Sequence, residues 1–373
     1  MRPTRVEIDL CAIKGNLEAI RAWTKTKVMM AIKADAYGHG AQVVGRFVQE
    51  HRLADMLGVS CIEEGIHLRE AGISLPILVF GLINNRDDCD TIFSHRLTPT
   101  LVDRAPVKDL VAAARKWNRP VPVHLKTDTG MGRLGLTPDE SIALARDIAE
   151  VPEIRISGIY THFPVSDVPG HPFTPVQIAA FTDLIDRLKM HGISTGSRHC
   201  ANSGAILNHE GTYLDMVRPG ILCYGLYPSP EIPKTLKVVP AMALKTAIIF
   251  TKRVKKGTGL SYGLTYRAPK DTCIATIPIG YADGFPRSLS NIARVTIQGK
   301  TYPVVGRICM DQSLIDLGDD LYPVGQEVTV FGREGITAET LASWNNTIPY
   351  EITCNMSRRV PRTYSNDIPA SRP

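Results

Sequence analysis

The stretch Met30-Ala31-Ile32-Lys33-Ala34-Asp35-Ala36-Tyr37-Gly38-His39-Gly40 brings a lysine to the end of an apolar run, with a tyrosine and two glycines close behind. A lysine at a strand end is ordinarily a solvated cation. Here Tyr37 offers a hydroxyl, and Gly38 and Gly40 let backbone N–H groups approach an anion. In an apolar, cationic setting the amine of Lys33 gives up its proton more readily and becomes able to form a Schiff base.

Other segments carry chemistry of the same kind. In His124-Leu125-Lys126-Thr127-Asp128-Thr129-Gly130-Met131-Gly132-Arg133-Leu134-Gly135, three glycines satisfy G-x-G-x-x-G, which alone suggests a dinucleotide site. The segment before them carries His124, Lys126 and Asp128, whereas a doubly wound sheet keeps such a strand apolar on both faces. The motif also follows four strand–helix units instead of opening the first, so the dinucleotide reading is set aside. Asn202-Ser203-Gly204-Ala205 and Val217-Arg218-Pro219-Gly220-Ile221 are turn-like as bare patterns. Placed after the last two strands of a barrel, they sit where phosphate commonly binds. There Ser203 would donate its hydroxyl, and the N–H groups of Gly220 and Ile221 would cradle the anion. Leu260-Ser261-Tyr262-Gly263 is likewise a turn on its own, and a tyrosine of ordinary pKa, about 10, is a poor base. His162 and His199 read equally as satisfied core histidines, and no His/Cys spacing suggests a metal.

The elements that must position these residues change character near residue 237. Before it, apolar runs at Val28–Ala34, Met56–Ile62, Leu75–Leu82, Thr98–Val102, Val121–Thr127, Ile154–Thr161, Ser197–Cys200 and Met216–Tyr224 alternate with helical patterns. Thr137 before Pro138 and Thr174 before Pro175 mark helix starts. Eight strands separated by helices predict an α/β fold, a (β/α)8 TIM-type barrel over residues 1–237. From Val238 to Pro373 the runs are short, β-branched and bounded by Gly, Pro or Asp, which predicts a mostly-β domain. Gln298-Gly299-Lys300 marks a hairpin, Thr337–Asn346 a lone helix, and Asn366–Pro373 a loose tail.

The chain has 373 residues, of which 44% are hydrophobic and 21% charged, the balance of an ordinary globular protein. A net charge of +6, spread along the chain, argues against a nucleic-acid partner yet suits small anions. No run is long and apolar enough to span a bilayer, so no membrane partner is expected. Met1 to Glu7 carries Arg2, Arg5 and Glu7 with no apolar signal region behind it, so no secretory signal is expected, and the eight scattered cysteines read as reduced thiols. The expected location is the cytoplasm.

Taken together, the stretch from Ala31 to Gly40, the 124–135 segment, and Gly280-Tyr281-Ala282-Asp283-Gly284 with Gly306-Arg307-Ile308-Cys309-Met310-Asp311-Gln312 resemble the alanine racemases. The resemblance runs from about Val6 to Thr363, with the motifs in order. Asp35 stands where that family usually has Asn, and the loop from Phe163 to His171 is richer in proline. The resemblance implies a pyridoxal 5′-phosphate (PLP) enzyme that interconverts L- and D-alanine and supplies D-alanine for the cell wall. It makes Lys33 the PLP lysine and one acid–base group, with Tyr262 the other on the opposite face. Tyr37, Ser203, Gly220, Ile221 and Tyr350 become phosphate contacts, and Arg218 the partner of the pyridine nitrogen. Arg133 and the Met310 N–H would bind the substrate carboxylate, and Tyr281 would narrow the entrance. Lys126 would be carbamylated or an ordinary lysine, orienting Arg133, while His162 and His199 would join a web around Tyr262 and Arg218. Family members are homodimers with shared sites. An arginine at the ring nitrogen leaves the cofactor a weak electron sink, which suits a racemase. It disfavours a decarboxylase, which wants an acidic partner there. A serine or broad-range racemase shares every motif, although Tyr350 and Tyr281 favour a small side chain. A non-catalytic PLP carrier would lack the β domain and Tyr262.

Overall fold

The computed structural model describes residues 2–366. They form two compact units. One runs from Asn16 to Cys223 and adds Tyr227–Lys237; the other joins the chain start up to Gly15, Tyr224–Leu226 and everything from Val238. The expected division at 237/238 is therefore corrected at its start. Strand Arg5–Asp9 pairs antiparallel with Met242–Ala247 and parallel with Arg362–Ser365, so the first residues complete the β unit. Of the expected tail, only Asn366 lies among the described residues.

The first unit is an eight-stranded parallel sheet flanked by helices. Its strands are Lys27–Ala31, Met56–Val59, Ile77–Val79, Thr98–Leu101, Val121–Lys126, Ile154–Tyr160, Ser197–His199 and Met216–Val217. The last returns to pair with the first. At the remaining seam, Asp215 N–H donates to the Arg198 carbonyl at 3.2 Å and Arg218 N–H to the Ala201 carbonyl at 2.8 Å. These bonds all but close the barrel. Met29, Met56, Leu78, Tyr160 and Met216 fill part of its interior, with Phe80 packed against them. Parallel strands read as near-continuous apolar runs because both faces are covered, and Lys27–Ala31 is buried at every position after its first.

The run expected as strand from Met216 to Tyr224 is strand only to Val217, and Ile221–Tyr224 is a 3-10 turn, since Pro219 interrupts the ladder. Thr137 caps its helix as expected, in a reciprocal pairing with Glu140. The Thr174 start is corrected: the helix spans Phe173–Met190, and Pro175 sits in its first turn, where no N–H is needed. The sequence reading also passed over the helix Leu10–Thr24, although Leu10, Ile13, Leu17 and Ile20 recur at helical spacing and are all buried.

The second unit holds a nine-stranded sheet. The hairpin expected at Gln298-Gly299 is present: Ile297 pairs with Lys300, and both turn residues have positive φ, 49° and 78°, as a type I′ turn demands. Among the described residues no helix is long and apolar enough to cross a membrane.

Candidate active site

Ten of the expected site residues meet at the C-terminal ends of the barrel strands. Directly after Lys27–Ala31 the chain turns through four consecutive left-handed residues, Ala34, Asp35, Ala36 and Tyr37, with φ of 51°, 54°, 56° and 54°. Such a turn costs roughly 1–2 kcal/mol per residue for L-amino acids, and surrounding bonds hold it. Glu64 accepts from the Ala34 N–H at 2.7 Å, and the Asp35 carboxylate accepts from the Ala41 N–H at 2.8 Å. The result places Lys33 at the mouth and folds Tyr37 back into the core, 6% exposed.

Tyr37 meets the other end of the barrel sequence there. A Cβ added to Gly220 would lie 2.4 Å from the Tyr37 hydroxyl oxygen, so only glycine leaves room for that close approach. The Gly220 N–H donates to Ser203 Oγ at 3.0 Å and the Leu222 N–H reaches the same oxygen at 3.5 Å. This corrects the expectation that the Gly220 N–H itself faces the anion. Ser203 Oγ accepts the backbone donors, and its own O–H has no acceptor among the described residues. The Ile221 N–H has no acceptor among the described residues. Tyr37, Ser203 and Ile221 thus converge into a cradle of hydrogen-bond donors, and such cradles bind phosphate.

Arg218 lies two residues before Gly220 and is almost fully buried. Its guanidinium donates to the carbonyls of His199 and Thr161 at 2.6 Å each, to that of Cys200 at 3.1 Å, and to His199 Nδ1 at 3.0 Å. His162 Nδ1 stands at 3.5 Å. No carboxylate pairs with Arg218 among the described residues. Burial pulls its pKa down to about 10, which still leaves it cationic at neutral pH. His199 stacks on Tyr160 at 4.9 Å, and Tyr160 also lies under Arg218 at 5.2 Å and Lys126 at 5.4 Å.

Lys126 is 6% exposed, and its Nζ donates to the Thr127 carbonyl at 2.8 Å. Burial, reinforced by the charge of Arg218, brings its pKa down to about 7. Burial holds His162 well below the usual histidine range, and the charges of Arg218, Lys126, Arg133 and Lys33 all press the same way. Four cations therefore surround one small region. That field selects an anionic ligand. Arg133 is exposed, and its head group makes no hydrogen bond or ion pair among the described residues. The Asp128 carboxylate explains the glycine decoy: it accepts from the N–H groups of Gly130, Met131 and Gly132 at 2.7–2.8 Å. Those donors are occupied, so no dinucleotide pyrophosphate can take them.

In the β unit, three more expected residues gather around the loop 306–312. Ser261 Oγ donates to the Arg307 carbonyl at 2.6 Å, the Tyr281 N–H to the Cys309 carbonyl at 3.0 Å, and the Ala282 N–H to the Met310 carbonyl at 3.1 Å. Ser261 itself has φ 60°, a strained value that aims Tyr262 outward. Tyr262 is 70% exposed, Met310 53% and Tyr281 41%, unusual for large side chains in a built site. The Met310 N–H has no acceptor among the described residues. Tyr350 lies on the helix Pro349–Cys354, whose following segment docks through the Ser357 N–H on the Asp283 carbonyl at 3.1 Å.

Sequence reasoning missed Tyr160, which touches three site residues, and Asp283, whose fully buried carboxylate receives Arg2, Arg359 at 2.7 Å and the Gly280 N–H at 3.0 Å. Both stood inside quoted or adjoining motifs. The available signal was a polar side chain where a strand or turn should be apolar.

Comparison with known proteins bears on the family of the chain. The family model for the alanine racemase N-terminal domain matches residues 8–228, and that for the C-terminal domain residues 241–364. A curated alanine racemase of Symbiobacterium thermophilum is 42% identical over 98% of both chains. A solved alanine racemase of Clostridium difficile superposes with a TM-score of 0.92 at 37% identity, covering 98% of this chain and 97% of that one. One of Bacillus anthracis, solved with bound L-Ala-P, gives 0.91 at 34% identity, covering 99% and 97%. With both domain models matched in order and relatives alike from end to end, the chain belongs to the alanine racemase family.

Proposed function

We propose that the chain interconverts L- and D-alanine with PLP, using Lys33 and Tyr262 as proton-transfer groups on the two faces of the substrate. The observation that carries this reading is the donor cradle of Tyr37, Ser203 and Ile221 beside Arg218, a buried cation with no carboxylate partner among the described residues. A phosphate fits the cradle and a pyridine nitrogen fits the guanidinium edge. When bound, PLP supplies the electron-withdrawing ring that acidifies the Cα proton. Lys33 is the residue placed to attach it.

The remaining roles follow from charge and reach. Arg218 would offer a donor to the ring nitrogen without giving up its proton, which would leave the cofactor a weak electron sink. Arg133 and the Met310 N–H, both without protein partners among the described residues, bind the substrate carboxylate. Lys126, with a pKa near 7, is partly neutral at physiological pH and therefore open to carbamylation. The carbamate would turn a repulsive neighbour of Arg133 into an attractive one. Tyr350 and Tyr281 crowd the substrate side chain and favour alanine over serine. Tyr262 moves the proton on one face of Cα and Lys33 on the other.

The exposure of Tyr262, Met310 and Tyr281 supports a homodimer in which these side chains meet a partner's barrel. The product D-alanine serves cell-wall synthesis in a bacterial host. An assay of purified, PLP-loaded protein with alanine, serine and lysine tests the reading. Racemisation should be fastest with alanine, and borohydride followed by peptide mapping should tag Lys33. A tag on another lysine, or no racemisation of alanine, overturns it.

A further inference from the structure

At the opposite end of the barrel from Lys33, where the strands begin, lies a second cavity of about 880 Å³. Lys27, Arg96, Arg155, Ser197 and His124 are among its lining residues. Asp55 is the one carboxylate among its lining residues, and Lys27 lies within electrostatic reach of Asp215. The nearby carboxylates are occupied: Asp55 pairs with Arg21 at 2.9 Å and accepts the Val28 N–H at 2.8 Å, while Asp215 pairs with Arg198 at 2.7 Å. Arg69 is likewise occupied, its guanidinium donating to the carbonyls of His95, Ile73, Leu75 and Arg96. Lys27, Arg96 and Arg155 form no ion pair among the described residues. Ser197 Oγ is buried without a hydrogen-bond partner.

His124 is the informative residue. It is 3% exposed, in a slot kept open by Gly158, where a Cβ would lie 2.5 Å from the ring. Its tautomer follows from donor logic. A guanidinium only donates, so His199 Nδ1, 3.0 Å from Arg218, must accept. The proton of neutral His199 then sits on Nε2 and donates to His124 Nδ1 at 2.8 Å. His124 must therefore carry its own proton on Nε2, and that N–H has no acceptor among the described residues. The ring of His124, the partnerless hydroxyl of Ser197 and the exposed cations Lys27, Arg96 and Arg155 thus line one cavity.

We propose that this cavity binds a small oxyanion of charge two or more, phosphate or a dicarboxylate, received by His124 Nε2–H and Ser197 Oγ–H and neutralised by Lys27, Arg96 and Arg155. Binding there fixes the donor direction along His124, His199 and Arg218. The site stands without the racemase reading; only its influence on the cofactor ring rests on the placement of Arg218.

The test titrates PLP-loaded protein, whose phosphate cradle is filled, with inorganic phosphate, succinate and acetate by calorimetry. Phosphate or succinate should saturate one site per chain, the tighter of the two naming the source, and acetate should not. R96A/R155A should weaken that binding at least tenfold, whereas K252A, an exposed lysine removed elsewhere, should not. In 15N-histidine spectra the His124 Nε2 signal should move on saturation. Should R96A/R155A fail to fold, R96K/R155K, which should retain binding, and the histidine spectrum decide. Absence of saturable binding, binding that survives the loss of both arginines, or an unmoved His124 signal overturns the proposal. None of these readouts depends on racemisation.

Discussion

The Tyr37 hydroxyl and the α-carbon of Gly220 approach so closely that a single added methyl on Gly220 would sit 2.4 Å from the oxygen and 3.0 Å from the ring carbon bearing it. The contact joins the turn after the first barrel strand to the turn after the last. It also brings the tyrosine hydroxyl beside Ser203, which accepts the Gly220 N–H. The donor cradle therefore depends on the absence of a side chain, a feature that no catalytic motif displays.

Gly220→Ala should accordingly displace the Tyr37 hydroxyl and loosen PLP. Overpacking of this kind costs about 1–3 kcal/mol, or roughly 5- to 150-fold in affinity. Reconstitution of apoprotein followed by absorbance would measure it. Adding Tyr37→Phe removes the clashing oxygen, so Gly220→Ala should then cause a smaller further loss than in the wild type. Unchanged PLP affinity in Gly220→Ala would place the phosphate elsewhere.

Much of the barrel end was legible because it is local. Lys33, Arg133 and Arg218 stand in short motifs at strand ends, where the structure brings them together, and the alternation of strands and helices was enough to predict the barrel. What was hidden depends on distant partners. The left-handed turn after Lys33 is held by Glu64, thirty residues on. Strand Arg5–Asp9 finds its neighbours at Met242–Ala247 and Arg362–Ser365, and nothing local assigns it to the far end of the chain. The run from His124 through His199 to Arg218 exists only once parallel strands set three separate segments side by side. Asp128 shows the converse, since its carboxylate occupies the very N–H groups that made the glycine pattern look functional.

Lys126 should leave a mark on stability. Its folded pKa of about 7 lies below the ordinary value of 10.5, because burial disfavours the charged form. Below pH 7 both states carry the proton and the folded state bears the full cost of the buried charge. Between pH 7 and 10.5 the unfolded chain binds a proton that the folded one lacks, so stability from this group rises with pH. The slope is at most about 1.4 kcal/mol per pH unit. Chemical denaturation in CO2-free buffer should show this rise in the wild type relative to Lys126→Met. Parallel pH profiles for the two proteins would refute the assignment. Added bicarbonate should flatten the difference if Lys126 takes a carbamate.

Arg218 should control the outcome of the reaction more than its occurrence. Arg218→Glu places a proton-sharing group at the proposed ring position and stabilises charge there. Racemisation should fall and transamination of alanine should rise, read as pyruvate formed per racemisation event. The buried neighbourhood of Thr161, His199 and Cys200 carbonyls would also lose its donor, so thermal melting should accompany the assay. A folded variant that racemises at the wild-type rate and forms no pyruvate would remove Arg218 from the ring.

The proposed dimer makes a quantitative claim about where Lys33 and Tyr262 work. If each site combines one protomer's barrel with its partner's β unit, a twofold dimer holds two equivalent composite sites. Lys33→Ala and Tyr262→Phe subunits should each be nearly inactive alone. In a heterodimer of the two, one site receives both lesions and the other receives neither. Equal mixing with free exchange makes about half of all dimers heterodimers, each with one intact site, so activity should return to roughly a quarter of wild type. Brief denaturation and refolding with PLP allows the exchange, and a charge tag on one subunit lets native electrophoresis count the heterodimers. Were Lys33 and Tyr262 of the same chain to form the site, every site in the mixture would carry a lesion. Counted heterodimers with no activity above the parent variants would therefore reject the shared site, while leaving the cradle of Tyr37, Ser203 and Ile221 untouched.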